Sequence, residues 1–257
     1  MIYAPVTESP GLPPAVGQPL GMADAFGRAL LDHYRGERDA ALYQRDGDAR
    51  KRHPVEGFYF GDFADQPGAN WIASQIDGPL LDVGAGAGRD ALYFQTDFET
   101  TAIEISDALV TLLAERGVAD ARQGDMFALE ETVERERFRS VLIAGTQLGL
   151  ARSMAGLRDL LADLAAVTTS GATAVVDAYD PTYEGADGML GFRSDPTPGL
   201  AFRVVNYEYA DLVGDTLLFR LFAPDRLREA TDGTEWHVAA TNRPRDAYYY
   251  QAALRKA

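Results

Sequence analysis

Leu80-Leu81-Asp82-Val83-Gly84-Ala85-Gly86-Ala87-Gly88-Arg89 is the stretch whose reading decides the fold. An apolar run over 79–83 ends in three glycines at every second position, and 90–94 continues with a helical pattern. The whole reads as a buried strand, a tight turn and a helix start. Glycine suits such a turn because it accepts positive φ at little cost and lets another molecule approach the backbone closely. The free N–H groups at the start of the next helix attract a negatively charged or polar ligand.

Downstream, strands and helices alternate. The segment 98–105 predicts a strand ending in Glu104. Ser106 follows as an N-cap for a helix carrying Leu109, Leu112 and Leu113, which Gly117 closes. A short strand over 118–122 leads to Gly124-Asp125-Met126, and a charged helical stretch is expected over 130–137. An apolar strand over 140–144 runs into Gly145-Thr146-Gln147, and Met154, Leu157, Leu160, Leu161 and Leu164 mark the next helix. Residues 172–178 form another buried strand. Such alternation argues for an α/β fold, a parallel sheet covered on both faces. After Asp180 the pattern changes. Two β segments, 200–209 and 216–222, predict an inserted hairpin around Gly214-Asp215, and Pro224 opens a helix that Gly233 ends. The chain finishes with an antiparallel pair, 236–240 and 248–254, turning at 242–246.

Upstream, the Pro- and Gly-rich residues 1–21 predict a flexible lead-in. A helix over 22–35 and a second short one over 40–43 form an N-terminal helical cap. Residues 44–54, polar and basic, predict a solvated loop; the aromatic stretch 55–63 serves as core or as a lid; 69–76 is a short amphipathic helix. No repeat and no second core is visible. The expected division is one domain over 22–257, with a cap at 22–68, a ligand-binding core at 69–180, a β insertion at 181–222 and a C-terminal helix and strand pair at 223–257.

The chain has 257 residues, 46% apolar and 25% charged, with a net charge of −15 and no cysteine. Disulfides, a thiolate nucleophile and Cys-ligated zinc are excluded. No apolar run approaches the roughly 18 residues of a membrane span. No basic segment followed by an apolar one opens the chain, so no secretory signal is expected and the cytoplasm is the expected site, for a monomer or homodimer. The acidity argues against nucleic-acid binding, which draws on Lys and Arg. Lys51 and Lys256 are the only lysines. Many carboxylates with few lysines suggest a salt-loving microbe, since at about 1 M salt the Debye length is near 3 Å and surface repulsion is screened.

In an open α/β sheet, ligands bind outside the carboxyl ends of the strands. Those ends supply Asp82 to Gly88, Glu104, Asp125 and Gly145 to Gln147. Glu104 lies about twenty residues beyond the glycines, where an acid accepts hydrogen bonds from ribose hydroxyls. Asp125 stands where a carboxylate accepts from an adenine amino group, with Met126 packing on the base. The dinucleotide fingerprint is G-x-G-x-x-G, whereas this chain has G-x-G-x-G, and Asp82 before it suits an ammonium better than a pyrophosphate. Two nucleotide classes compete on the residues alone, a dinucleotide and a ligand with an amino-acid part, so a nicotinamide-dependent oxidoreduction and nucleotide binding without catalysis both stay open.

The run Leu81 to Arg89 resembles the signature of class I S-adenosylmethionine-dependent methyltransferases. Ala102-Ile103-Glu104-Ile105-Ser106 is similar to that family's second-strand end, and Gly124-Asp125-Met126 to its adenine-side motif. The resemblance runs over about 71–177, and the final antiparallel pair extends it to the end. It implies a Rossmann-like seven-stranded sheet of order 3-2-1-4-5-7-6 with the last strand antiparallel. It also implies S-adenosylmethionine as cofactor and S-adenosylhomocysteine as product; nothing in the residues suggests a metal site. The residues it assigns to the cofactor are Asp82, Gly84, Ala85, Gly86, Gly88, Glu104, Ile105, Asp125, Met126, Ala144 and Gly145. The segment 141–150 is similar to a small-molecule subgroup, with Gly145-Thr146-Gln147-Leu148-Gly149 where that subgroup has Gly-Asn. The Asn-Pro-Pro-Tyr type of sequence that holds a base or amide nitrogen is absent, so a small-molecule acceptor is expected, with its atom type open. Tyr59, Asp177 and Tyr179 are the candidates to face it, Tyr59 with Phe60 as a cover. His33, His53 and His237 are expected to be surface or structural. Arg193 and Arg203 are expected either to bind a substrate anion or, preferentially, to pair with surface acids.

Overall fold

The computed structural model describes residues 24–245 and 247–257. The expected lead-in, Met22 and the end of the 242–246 turn lie outside them. The chain opens with α1 (Ala25–Arg35), whose Asp24 side chain accepts from the Gly27 N–H at 2.7 Å and caps it. A hairpin of β1 (Tyr43–Asp46) and β2 (Ala49–Arg52) follows, where the sequence suggested a short helix and a polar loop. A π-helical turn (Glu56–Phe60) and α2 (Ala69–Ala73) lead to β3 (Leu80–Val83). Then come α3 (Arg89–Phe94), β4 (Thr100–Glu104), α4 (Asp107–Arg116), β5 (Ala121–Gln123) and β6 (Phe138–Ile143). The helix expected over 130–137 is only a 3-10 turn, Leu129–Glu131. That expectation rested on charge without an apolar stripe. After α5 (Met154–Val167) and β7 (Thr168–Tyr179) the chain forms β8 (Phe192–Ser194), β9 (Leu200–Tyr209), β10 (Leu212–Val213) and β11 (Leu217–Phe222). It ends in α6 (Pro224–Thr231), β12 (Trp236–Asn242) and β13 (Tyr249–Lys256).

The main sheet has the order β12-β13-β7-β6-β3-β4-β5. β13 is antiparallel to both its neighbours, and the pairs from β7 to β5 are parallel. Counted along the chain within this sheet, that is the expected order 3-2-1-4-5-7-6. Alternate residues serve opposite faces. Leu81, Val83, Val141 and Val176 join Leu157, Leu160, Leu161 and Leu164 of α5 on one side, and Leu80, Leu142 and Val175 meet Ile72 and Phe94 on the other. Each fully buried leucine stabilises the fold by about 1.5–3 kcal/mol, so burial of the α5 stripe outweighs anything its helix propensity contributes.

The inserted hairpin is β9 and β11, and it belongs to a larger second sheet. β9 is its spine, pairing with β11, β8 and β10 and also with β1 from the N-terminal hairpin, where Gln44 stands opposite Tyr207. An apolar cluster of Ala25, Leu30, Leu42, Val55 and Tyr209 lies beneath it, in a chain whose sequence suggested no second core. Leu109 and Leu112 of α4 complete that cluster, so it is continuous with the main domain. The second sheet rests on the carboxyl end of the main one. A Cβ on Gly149 would fall 2.8 Å from the Arg220 carbonyl oxygen of β11.

Candidate functional site

Gly84, Gly86 and Gly88 all have left-handed φ, at 70°, 59° and 79°. The Gly84 and Ala85 N–H groups donate to the Ile103 carbonyl at 2.9 and 3.1 Å, tying the turn to β4. A Cβ on Gly88 would strike Leu113 at 2.6 Å, whereas one on Gly86 would meet nothing nearer than Tyr59 Cδ1 at 4.0 Å. Gly88 therefore serves packing, and Gly86 leaves room above the turn, with Tyr59 over it.

Three buried acids converge beside this turn. Asp82 leaves β3 with 2% exposure, and its Oδ2 has no hydrogen-bond partner among the described residues. Burial, then Asp90, then Glu104 push its carboxyl well above the ordinary range, against Arg89 and the Ala91 N–H. Asp90 is held by Arg89 at 2.8 Å and by Gln66 at 3.1 Å. Glu104 accepts from the Gly86 N–H at 3.0 Å and the Ile105 N–H at 3.2 Å, and burial raises its pKa. A carboxylate oxygen left without a donor in such a place costs free energy until a donor arrives. The donor that fits is a cation, and the ammonium of a methionine-derived tail has that chemistry. Both Glu104 oxygens accept backbone bonds, and a carboxylate has about four lone-pair sites, so it retains acceptor capacity for a ligand hydroxyl.

A second turn faces the first across the sheet. Gly145 and Thr146 both have positive φ, at 82° and 63°. Asp177, at the end of β7, holds this shape: Oδ2 accepts from the Gly145 N–H at 2.9 Å and the Tyr249 hydroxyl at 2.8 Å, and Oδ1 accepts from the Thr146 N–H. Burial pushes its pKa to about 6 despite these donors. Gln147 bridges the two turns, its Nε2 donating to the Gly84 carbonyl at 2.6 Å.

The Glu56–Phe60 turn is fastened over the glycines through its backbone. Arg89 donates to the Phe58 carbonyl at 2.8 Å, and Arg116 to the carbonyls of both Tyr59 and Ala87. The Tyr59 hydroxyl is hydrogen-bonded to His53 Nε2 at 2.7 Å, and Phe26 and Tyr207 pack beside them. His53 is pushed down to about 4 by burial, then by Arg203 and Lys51. It is thus neutral at neutral pH.

The sequence-derived positions fall into groups. Asp82, Gly84, Ala85, Gly86, Gly88, Glu104, Ile105, Ala144 and Gly145 gather at the carboxyl ends of β3, β4 and β6. Asp125 follows β5 and accepts from the Phe127 N–H at 2.9 Å, while Met126 is packed with Leu129 and Val133. Arg193 pairs with Asp46 at 2.7 Å, as expected of a surface arginine, but Arg203 pairs with no acid among the described residues. His53 takes the structural one of the two roles expected of it, bonded to Tyr59 beside the turn. Tyr249, Tyr207 and Arg89 escaped sequence reasoning. Only the position of Arg89, one residue past the last glycine, offered a signal.

No protein-family model and no curated protein matches the chain. Solved structures do. A SAM-dependent methyltransferase from Bacteroides fragilis, in complex with S-adenosyl-L-homocysteine, is 22% identical with TM-score 0.76, over 91% of this chain and 95% of that one. A methyltransferase from Streptomyces caelestis, CcbJ, is 16% identical with TM-score 0.57, over 77% and 99%. An amino pentose methyltransferase from Micromonospora echinaspora, with SAM bound, is 17% identical with TM-score 0.55, over 77% and 93%. The fold is that of the S-adenosylmethionine-dependent methyltransferases, seven strands with an antiparallel closing strand.

Proposed function

We propose that this chain transfers a methyl group from S-adenosylmethionine to a small-molecule acceptor. The observation that carries the reading is the buried Asp82 Oδ2 without a partner, beside a glycine turn with open space over Gly86. Asp82 holds the ammonium, Glu104 the ribose hydroxyls, and Asp125 the adenine amino group with Met126 against the base. Gly84, Ala85, Gly86 and Gly88 bring the backbone close, and Ile105, Ala144 and Gly145 line the rest. The bound sulfonium supplies an already activated methyl group. The protein then has to align the acceptor and exclude water. Tyr59 covers the turn. Asp177 shapes the 145–147 turn and, with three donors already on its oxygens, is a positioning residue rather than a base. Tyr179 stands at the acceptor side.

The same reading takes the protein as a cytoplasmic monomer or homodimer from a halophilic microbe. No helix among the described residues is long and apolar enough to cross a membrane. The net charge of −15 disfavours nucleic acid as substrate. Titration calorimetry tests the reading. S-adenosylhomocysteine is expected to bind, and Asp82→Asn to weaken it about 10- to 100-fold, the worth of one hydrogen bond to a charged group. Absence of heat with folded protein, or quenching by NADH instead, overturns it.

A further inference from the structure

β9 presents Ala201, Arg203, Val205, Tyr207 and Tyr209 to one face and Phe202, Val204, Asn206 and Glu208 to the other. The first face looks inward: Ala201, Val205 and Tyr209 are buried, and Tyr207 packs on Phe26 and His53. Arg203 is the only charged residue of that set. Across the ladders it stands opposite Phe219 and Phe192. Its Nε donates to the Leu190 carbonyl at 3.0 Å and its Nη2 to Gln44 Oε1 at 2.7 Å. Gln44 passes the polarity on, its Nε2 donating to the Tyr207 hydroxyl at 2.9 Å. Arginine donates only, so this chain of bonds settles which way the Gln44 amide points. Nη1 has no protein partner among the described residues.

The neighbouring arginines of the sheet differ. Arg193 and Arg220 both stand opposite Phe202, on the other face of β9, the first exposed and the second buried, and each has an acid, Asp46 at 2.7 Å and Asp195 at 2.8 Å. Of these three arginines, the half-buried inward Arg203 is the one given only neutral acceptors among the described residues. It lines a narrow crevice with Thr146, Ala178, Tyr179, Phe219, Arg220 and Leu221, closed as it stands to a molecule the size of water. That crevice adjoins the glycine turn, because Gln147, next to Thr146, is bonded to Gly84.

The geometry points to this crevice, opened by its occupant, as the acceptor site, taking a small molecule with a carboxylate on an apolar body, its charge held by Arg203. The assignment rests on the methyltransferase reading above. Nη1 of its guanidinium, held in place by the bonds of Nε and Nη2, is left to donate to a carboxylate, and Ala178, Phe219 and Leu221 give the apolar wall. Within a strongly negative molecule, a local cation is what makes an anionic acceptor bindable at all.

Titration of 4-hydroxybenzoate, phenylacetate and hexanoate, and of their neutral amides, into protein saturated with S-adenosylhomocysteine tests the assignment. At least one acid is expected to bind at least about tenfold more tightly than its amide. Arg203→Gln is expected to abolish that preference and Arg203→Lys to keep part of it, both with wild-type affinity for S-adenosylhomocysteine, which also reports that they fold. With S-adenosylhomocysteine bound, acids no tighter than amides, or a preference that survives Arg203→Gln, overturns the assignment. Failure of S-adenosylhomocysteine itself to bind the folded wild type overturns the methyltransferase reading, and this one with it.

Discussion

Asp177 and His53 flank the site and pull stability in opposite directions with pH. Burial raises Asp177 from 3.8 to about 6, so between those values the folded protein holds more protons than the unfolded chain. Its contribution therefore falls as pH rises through that window. Burial lowers His53 from 6.5 to about 4, so the folded protein holds fewer protons there, and its contribution is lost as pH falls. The two partly cancel. Urea midpoints across this window are expected to drop more steeply on acidification in Asp177→Asn than in wild type. His53→Gln is expected to tilt the other way. Asp177→Asn also costs about 1–3 kcal/mol at neutral pH, because the asparagine amide meets donors where the carboxylate accepted. Parallel pH profiles for all three proteins would count against the assignment. Asp82 and Glu104 were legible as strand-end acids from the sequence because their surroundings are set within a few residues. Asp177 was visible, but its purpose was not: Tyr249 stands 72 residues further on.

Among the elements, α1 and α4 share a cap. Ser106 Oγ accepts from the Leu109 N–H at 3.1 Å and is bonded to Asp24, whose other oxygen caps α1. Ser106→Ala is expected to destabilise the protein by about 1–2 kcal/mol. A double-mutant cycle with Asp24→Ala is expected to give a coupling of about 0.5 kcal/mol or more. Strict additivity in thermal melts would make the caps independent. The Ser106 cap and the Gly117 stop were readable locally. The β1–β2 hairpin was not: every residue of β2 is exposed, so its sequence has no apolar alternation, and the partner of β1 is β9, far along the chain.

On the scale of the whole molecule, 39 acids against 24 basic residues leave a large negative excess. Pairs such as Arg35–Glu115 and Arg137–Glu134 lie partly or largely in solvent, where each contributes about 0–1 kcal/mol. Repulsion among the remaining carboxylates then governs the salt response. The unfolding midpoint is expected to rise between low salt and about 1 M KCl, where the Debye length shrinks to near 3 Å. A midpoint equal or higher at low salt rules out adaptation to salt.

From its sequence alone, this protein was readable as an α/β fold with the glycine turn, the acids after three successive strands and the antiparallel closing pair. These are local matters: hydrophobic period, glycine φ and caps depend on neighbours a few residues away. Tertiary structure alone decided that the basic N-terminal segment is a hairpin, that Asp177 clamps the 145–147 turn, that His53 meets Tyr59, and that Arg203 faces inward with no acid paired to it among the described residues. Each of these depends on sheet register and on packing between distant segments. A one-residue slip in the β1–β9 or β9–β11 register would turn Arg203 or its neighbours to the other face, and nothing within β9 itself settles that register.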